Sequence, residues 1–278
     1  MIPALTDAPG LTIAPPGAWP RLELHELWEY RELFWFLVWR DLKVRYRQTL
    51  LGILWVVLQP IMTMAIFAVV LGRLVGVPTD NIPYPLFAYA GLLPWLFFSS
   101  AVATGSTSLV ASANLITKVY FPRVILPAAA ATARLVDFAV GSLGLVALMV
   151  FYRVSLMPSL LLIPPVVVIE LFLAVGVAAL FSSFNVKYRD IGFIVPVLLQ
   201  LGMFVTPVLY RWTLVPARWR WTITVNPLTG IVESYRSALL GLPLPWKPLL
   251  VSIVATVVLV AAALYEIRRM EGTFADIV

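Results

Sequence analysis

The chain has 278 residues, of which 61% are hydrophobic and 12% charged, and its mean hydropathy is +0.94. Soluble domains carry about 25% charged and about 45–50% apolar residues, so this composition excludes that class and indicates a protein that spans a lipid bilayer. The net charge of +6 does not indicate nucleic-acid binding, because the basic residues lie at the ends of apolar segments rather than in one patch.

The first 23 residues are rich in proline and contain no basic start followed by an apolar run. They predict a disordered tail rather than a signal peptide. Residues 24–47 follow, with apolar side chains at helical spacing and with Trp28, Trp35 and Trp39, whose rings suit the lipid headgroup layer. This segment predicts an amphipathic helix on the cytoplasmic membrane surface, with an extension of the first membrane span as the alternative.

Membrane-spanning helices need about 20 mostly apolar residues, since each residue rises about 1.5 Å through about 30 Å of hydrocarbon. Six stretches qualify: 53–75, 84–104, 124–151, 160–184, 191–210 and 248–267. The sequence therefore predicts an all-α integral membrane protein in which residues 24–278 form a single domain with six transmembrane helices.

Lysine and arginine concentrate in four flanks that lie on one side of the membrane: before the first span, after the second, after the fourth and after the sixth. The flank after the fourth span is a short loop with Lys187, Arg189 and Asp190. Basic flanks face the cytoplasm, which predicts a multi-pass membrane protein with both termini inside. The external loop 211–247 disagrees, because it holds five basic residues, but four flanks outweigh one long loop.

The loop 211–247 is expected to contain a short helix. Asn226 followed by Pro227 is an N-cap and first-turn signal, and Gly241 is a helix stop. At about 1.5 Å per residue this helix is about 20 Å long, which is too short to cross a bilayer. With four tryptophans around it, the helix is predicted to be re-entrant or to lie flat at the outer interface.

Three charged residues fall inside predicted spans, where charges are costly and point to a role. Arg134 and Asp137 are three residues apart on one helical face and are expected to pair, with a transport role as the alternative. Glu170 lies near the middle of its span; it is either protonated or in contact with Arg134. Three residues make a poor ion relay, and with no histidine in the spans there is no ordinary base for a membrane enzyme.

Polar and aromatic residues recur at intervals of three and four along the first, second and fifth spans. These candidate lining residues are Gln59, Thr63, Phe67, Tyr84, Phe87, Gln200 and Tyr210. Such a stripe either lines a path for a hydroxyl-rich substrate or packs helices together through amide contacts. Spacing alone does not separate the two.

Several longer motifs point to one family. They are Trp39–Tyr46 (WRDLKVRY), Tyr84–Phe87 (YPLF), Asn114–Arg123 (NLITKVYFPR), Asn185–Ile191 (NVKYRDI), Asn226–Pro227 and Thr273–Asp276. With these motifs the chain resembles, from about Trp39 to its end, the membrane subunits of bacterial polysaccharide ABC exporters. These are the Wzm-type O-antigen permeases of the type-2 ABC exporter group.

The resemblance implies a homodimer that encloses a continuous channel and docks on two copies of a separate ATPase. ATP and Mg would bind to that partner and no cofactor to this chain, in which no lysine follows a glycine as a phosphate loop requires. The segment 109–123 would contact the ATPase, and 211–247 would form external gate helices. The expected contact residues are Asn114, Lys118, Tyr120 and Arg123.

The resemblance also implies that the substrate is a lipid-linked polysaccharide and that membrane lipids surround the chain in the bacterial cytoplasmic membrane. Two alternatives stay open. One is a small-amphiphile or drug exporter on the same scaffold, and the other is a polytopic membrane enzyme acting on lipid-linked sugars.

Overall fold

The fold is a bundle of α-helices, seen in a computed structural model that describes residues 24–47, 54–79, 82–155 and 157–277. Side chains are described except for Leu24 and residues 271–277. Within these ranges there is no β-strand. The proline-rich tail 1–23 lies outside the described residues, so the prediction of disorder there stays a prediction.

The bundle is built from twelve described helices in chain order. They are α1 (Leu24–Glu29), α2 (Arg31–Tyr46), α3 (Leu54–Phe67, continued by a π-helical stretch Ala68–Val75), α4 (Tyr84–Gly105), α5 (Ser108–Ala111), α6 (Ala113–Ile116), α7 (Ile125–Phe151), α8 (Ile163–Lys187), α9 (Ile191–Val205), α10 (Arg220–Val225), α11 (Pro227–Leu240) and α12 (Trp246–Ile277). Short 3-10 turns precede α8 at Pro158–Leu162 and precede α10 at Trp212–Leu214 and Ala217–Trp219.

Among the described residues, five helices are long and apolar enough to cross a membrane. They are α3 with its π-helical continuation, α4, α7, α8 with the preceding 3-10 turn, and α12 up to Met270. Their bounds lie close to the predicted first, second, third, fourth and sixth spans. The structure is thus consistent with the predicted integral membrane protein, with five helices long enough to span; the predicted fifth of the six spans corresponds to a shorter apolar helix.

The shorter helix is α9, which covers only 15 residues of the predicted span 191–210. It ends at Val205 because Thr206 precedes Pro207. A residue before proline is driven out of the helical region, and Thr206 has extended torsions, with φ −82° and ψ 138°. The predicted end of this span was therefore wrong by five residues.

Helix α4 is the centre of the bundle. Its side chains are buried on every face, including Leu86, Tyr89 and Trp95. A helix that is apolar all round is stable only when neighbours cover every side, and α7, α8, α11 and α3 do so. By contrast, α3 and α9 keep most of their apolar side chains exposed.

One end of the bundle carries α1, α2, α5, α6 and the last turns of α12, and we call it the terminal end. A hydrophobic cluster there joins Leu37 and Val38 of α2 to Phe121, Ile125 and Ile267. An ion pair of 2.7 Å between Arg268 and Glu26 links the last helix to the first. The predicted helix over 24–47 is present, with a break at Tyr30.

The opposite end carries α10 and α11. The predicted short helix is confirmed: the Asn226 side chain accepts a hydrogen bond from the Leu228 amide at 3.0 Å, Pro227 is its first residue, and Gly241 follows with φ +66°. Rather than lying on the surface, α11 is buried against α4, α8 and α12. Its Gly230 sits so close to the Pro248 carbonyl that a Cβ atom would overlap it.

Candidate functional site

The exposed faces of α3 and α9 carry the predicted amides. Gln59 and Gln200 are both exposed, while Thr63 and Phe67 are half-buried. The Thr63 hydroxyl donates to the Gln59 carbonyl at 2.9 Å, so its hydrogen is used within its own helix. The exposed side-chain amides of Gln59 on α3 and Gln200 on α9 can therefore donate and accept hydrogen bonds, whereas the Thr63 hydroxyl can only accept further ones.

Gln59 also lines an open cavity of about 330 Å³ between α3, α4, α7 and α9. Other walls come from Trp55, Phe97, Ser100 and Pro196. We call it the span cavity. Its size falls at the lower end of the range for small-molecule pockets, which is about 300–1,000 Å³. Its wall mixes aromatic rings with hydroxyls, of which that of Ser100 donates to the Phe97 carbonyl of its own helix at 3.0 Å.

Tyr84 and Phe87 do not lie on an exposed face. The Tyr84 hydroxyl donates to the Leu209 carbonyl at 3.0 Å, and the Phe87 ring is 0% exposed. Both side chains are enclosed by neighbouring helices of the same chain. In this structure these two side chains pack between helices, as the packing alternative expects, and the lining prediction for them stays a prediction. Tyr210, half-buried, donates through its hydroxyl to the Phe204 carbonyl at 3.1 Å, back onto the end of α9.

A buried ion pair that the sequence reasoning missed lies beside them. The Arg236 guanidinium donates to Glu233 Oε1 at 2.9 Å, to the Pro207 carbonyl at 2.7 Å and to the Val208 carbonyl. Both side chains lie on α11 at i and i+3, a spacing that could have indicated the pair.

Near the middle of α7, Asp137 is the centre of an ionic cluster. The predicted pair with Arg134 is confirmed at 3.4 Å, and Arg45 of α2 contacts the same carboxylate oxygen at 3.0 Å. The Tyr46 hydroxyl donates to the other oxygen. Burial, reinforced by this hydrogen bond, raises the pKa of Tyr46 to about 12. We call Arg45, Tyr46, Arg134 and Asp137 the Asp137 cluster.

Glu170 is completely buried in α8, beside Tyr235 of α11. Its two oxygens meet no hydrogen-bond donor in good geometry among the described residues. Arg134 is instead engaged by Asp137 and by Thr104, to which its Nε donates at 3.2 Å. The suggested contact between Glu170 and Arg134 is therefore wrong.

The segment predicted to couple to an ATPase is exposed at the terminal end. Asn114 and Lys118 are exposed, and the Tyr120 side chain is 63% exposed. Arg123 differs: it is buried, donates to the Val119 carbonyl at 3.2 Å and lies over the Phe121 ring. Arg123 thus contacts other residues of its own segment from the buried side. The prediction that Arg123 contacts a partner is not retained.

The loop between α8 and α9 exposes a second set of polar side chains at the same end. Lys187, Arg189 and Asp190 are all exposed. The base of the loop is fixed by Asn185, whose side-chain amide donates to the Ser106 carbonyl at 3.1 Å, at the end of α4. The segment with Asn114 follows the same end of α4 along the chain, through α5, which packs on α8.

Residues 32–240 match the family described as ABC-2 type transporter. The chain belongs to the ABC-2 type transporter family. The resemblance to type-2 ABC exporter permeases is thereby confirmed, and the ABC-2 membership makes the chain a transport subunit rather than an enzyme.

Three relatives match between 72% and 89% of this ABC-2 chain. The O-antigen export system permease protein RfbA of Myxococcus xanthus is 34% identical over 255 residues, 89% of this chain and 96% of the relative. A protein of the same name from Klebsiella pneumoniae is 28% identical over 241 residues, 86% of this chain and 92% of the relative. The polysialic acid transport protein KpsM of Escherichia coli is 23% identical over 207 residues, 72% of this chain and 78% of the relative.

Proposed function

We propose that this chain is the permease subunit of an ATP-driven exporter that moves a lipid-linked polysaccharide, such as O-antigen, outward across the cytoplasmic membrane. The observation that carries the proposal is the match to the Myxococcus xanthus O-antigen export permease over 96% of that protein at 34% identity. The family match, over residues 32–240, includes α3 to α9, the exposed loops of the terminal end and the buried helix α11.

Energy would come from a partner ATPase that binds ATP and Mg. The exposed surfaces of 114–120 and 187–190 are the proposed docking area, and they lie together at the terminal end. The terminal end would then face the cytoplasm, in agreement with the basic flanks. The opposite end, with α10 and α11, would face outward as the gate.

The substrate path would form between two copies of the chain. Helices α3 and α9 leave wide apolar faces uncovered, and apolar exposure of this extent needs either lipid or a second subunit. In a homodimer, Gln59, Thr63, Phe67 and Gln200 would line the path. Their amide and hydroxyl groups can exchange hydrogen bonds with passing sugars, and conduction requires many weak contacts rather than one strong one.

Inverted membrane vesicles containing the chain and the ATPase encoded beside it would test the proposal. We expect ATP-dependent protection of a radiolabelled lipid-linked polysaccharide from an external glycosidase, and no protection when the phosphate-loop lysine of the ATPase is replaced. Protection without ATP, or ATP-driven uptake of a short amphiphile with no effect on the polysaccharide, would contradict it. The second result would favour the small-amphiphile exporter.

A further inference from the structure

A second cavity, of about 490 Å³, opens at the terminal end between α2, α4, α5 and α7, and we call it the terminal cavity. Three arginines line it, Arg40, Arg45 and Arg134, together with hydroxyls of Thr104, Ser108 and Ser112. Arg45 also lines the span cavity, as does Asp137. The Asp137 cluster is therefore the boundary at which the two cavities meet.

The charges at this boundary do not cancel. Arg40 is neutralised by its neighbour Asp41 at 2.9 Å. Arg45 and Arg134 share the single carboxylate of Asp137, at 3.0 and 3.4 Å. Among the charged residues that line the two cavities, three arginines thus face two aspartates, which leaves one positive charge.

Asp137 and Arg134 lie well inside the bundle, whereas the Arg45 side chain that shares the carboxylate is 41% exposed. Arg134 and Asp137 lie about 14 and 18 Å along α7 from its first residue, at about 1.5 Å per residue. Their side chains are only 14% and 12% exposed. An uncompensated charge at such a place is costly, and guanidinium groups with spare N–H donors are the groups that bind phosphate best.

We propose that the terminal cavity binds a phosphate group through Arg45 and Arg134, with Asp137 holding the two arginines in place while no phosphate is bound. The negative charge of the bound phosphate would cancel or exceed the one positive charge left on the residues that line the two cavities. The phosphate would also compete with Asp137 for the same N–H donors. Its source is either the headgroup of a membrane lipid or a soluble phosphate. For a lipid-linked substrate the site would hold the phosphate that joins sugar to lipid, and this last step rests on the proposed function.

Competition gives Asp137 an effect opposite to that of the arginines. Replacing Arg45 or Arg134 by glutamine removes a charge-assisted donor and should weaken phosphate binding about tenfold. Replacing Asp137 by asparagine removes the competitor and should strengthen it. An ion-pair cluster that only joins α2 to α7 would instead lose stability in all three variants, with no gain of binding in any.

The test uses the full chain in phosphatidylcholine nanodiscs, with phosphatidic acid as the lipid probe and inorganic phosphate as the soluble probe. Native mass spectrometry counts retained phosphatidic acid, and the thermal shift produced by each probe is measured alongside. Arg269→Gln is the matched control, because Arg269 is exposed at the same end and lies outside both cavities.

Stronger probe binding by Asp137→Asn and weaker binding by Arg45→Gln and Arg134→Gln, with Arg269→Gln unchanged, would support the site. A response to phosphatidic acid alone assigns the lipid headgroup, and a response to inorganic phosphate alone assigns a soluble source. Equal binding by all variants, or loss of binding in Asp137→Asn, would overturn the site. Neither result bears on polysaccharide protection in vesicles, so this inference and the proposed function fail separately.

Discussion

The guanidinium carbon of Arg236 lies 3.9 Å from the centre of the Phe87 ring. Arg236 belongs to α11 and Phe87 to the central helix α4, so the contact joins the short buried helix to the core of the bundle. The same guanidinium binds the carbonyls of Pro207 and Val208, just beyond the end of α9. Three segments at the opposite end therefore meet at one side chain.

Replacing Arg236 by methionine should destabilise the opposite end strongly. It removes the charged partner of the Glu233 carboxylate and the side-chain donor to the Pro207 and Val208 carbonyls. Breaking one partner of a buried pair costs about 3–5 kcal/mol. Thermal unfolding in detergent should show a large loss of stability. Arg218→Met is the control, because Arg218 is exposed, and it should behave like the wild type. Equal stability of the two variants would contradict the central position of Arg236.

Gly91→Ala should be poorly tolerated. A Cβ at Gly91 would overlap the Arg236 guanidinium and the Val208 carbonyl, and overpacking costs about 1–3 kcal/mol. Gly192→Ala is the matched control in α9, because its Cβ would meet nothing closer than the Asn185 side-chain oxygen at 3.5 Å. We expect reduced folded yield for the first variant only. If both are equally well folded, the close approach of α4 to Arg236 is not present in the protein.

Lys118→Glu combined with Tyr120→Ala should weaken binding of the partner ATPase while leaving the chain folded. Both side chains are exposed, so their loss costs the isolated chain little. Arg123→Gln should do the reverse, because Arg123 is buried and holds the Val119 carbonyl. Co-purification with the ATPase, set against thermal stability of the chain alone, separates the two effects. Normal co-purification of the double variant with the ATPase would show that this surface is not part of the docking area.

Single cysteines should report the orientation, since the chain has none of its own. Ser155 and Thr213, both exposed and on the predicted outer side, should react with an impermeant maleimide in intact cells. Asn114 and Arg189, exposed at the terminal end, should react only after permeabilisation. Labelling of Arg189→Cys in intact cells would invert the proposed orientation.

Gln59→Ala and Gln200→Ala should lower polysaccharide export per assembled complex. Their exposed amides are the proposed exchangeable contacts of the path, and each contact is weak, so we expect a partial loss from each and a larger one from both. Export normalised to co-purified ATPase is the measurement. A fall in assembly with unchanged normalised export would show that these amides pack subunits together instead.

Features set by neighbours along the chain could be predicted from the sequence. Apolar runs located the long helices, and Asn226, Pro227 and Gly241 located both ends of α11, because caps and hydropathy act within a few residues. The sequence signal that ends α9 is also local. The threonine before Pro207 carries the signal that stops the helix, although the longer apolar run masked it.

Tertiary structure alone decided which side chains are covered and which charges meet. Spacing along a helix shows that Phe87 and Gln59 each lie on a stripe, but not that α11 encloses one while the other lines a cavity. Likewise Tyr46 and Asp137, 91 residues apart, meet only because α2 packs on α7. Periodicity fixes the direction of a side chain around its own helix. The neighbour it faces depends on how all the helices pack, since each apolar face can be covered in several ways at similar free energy.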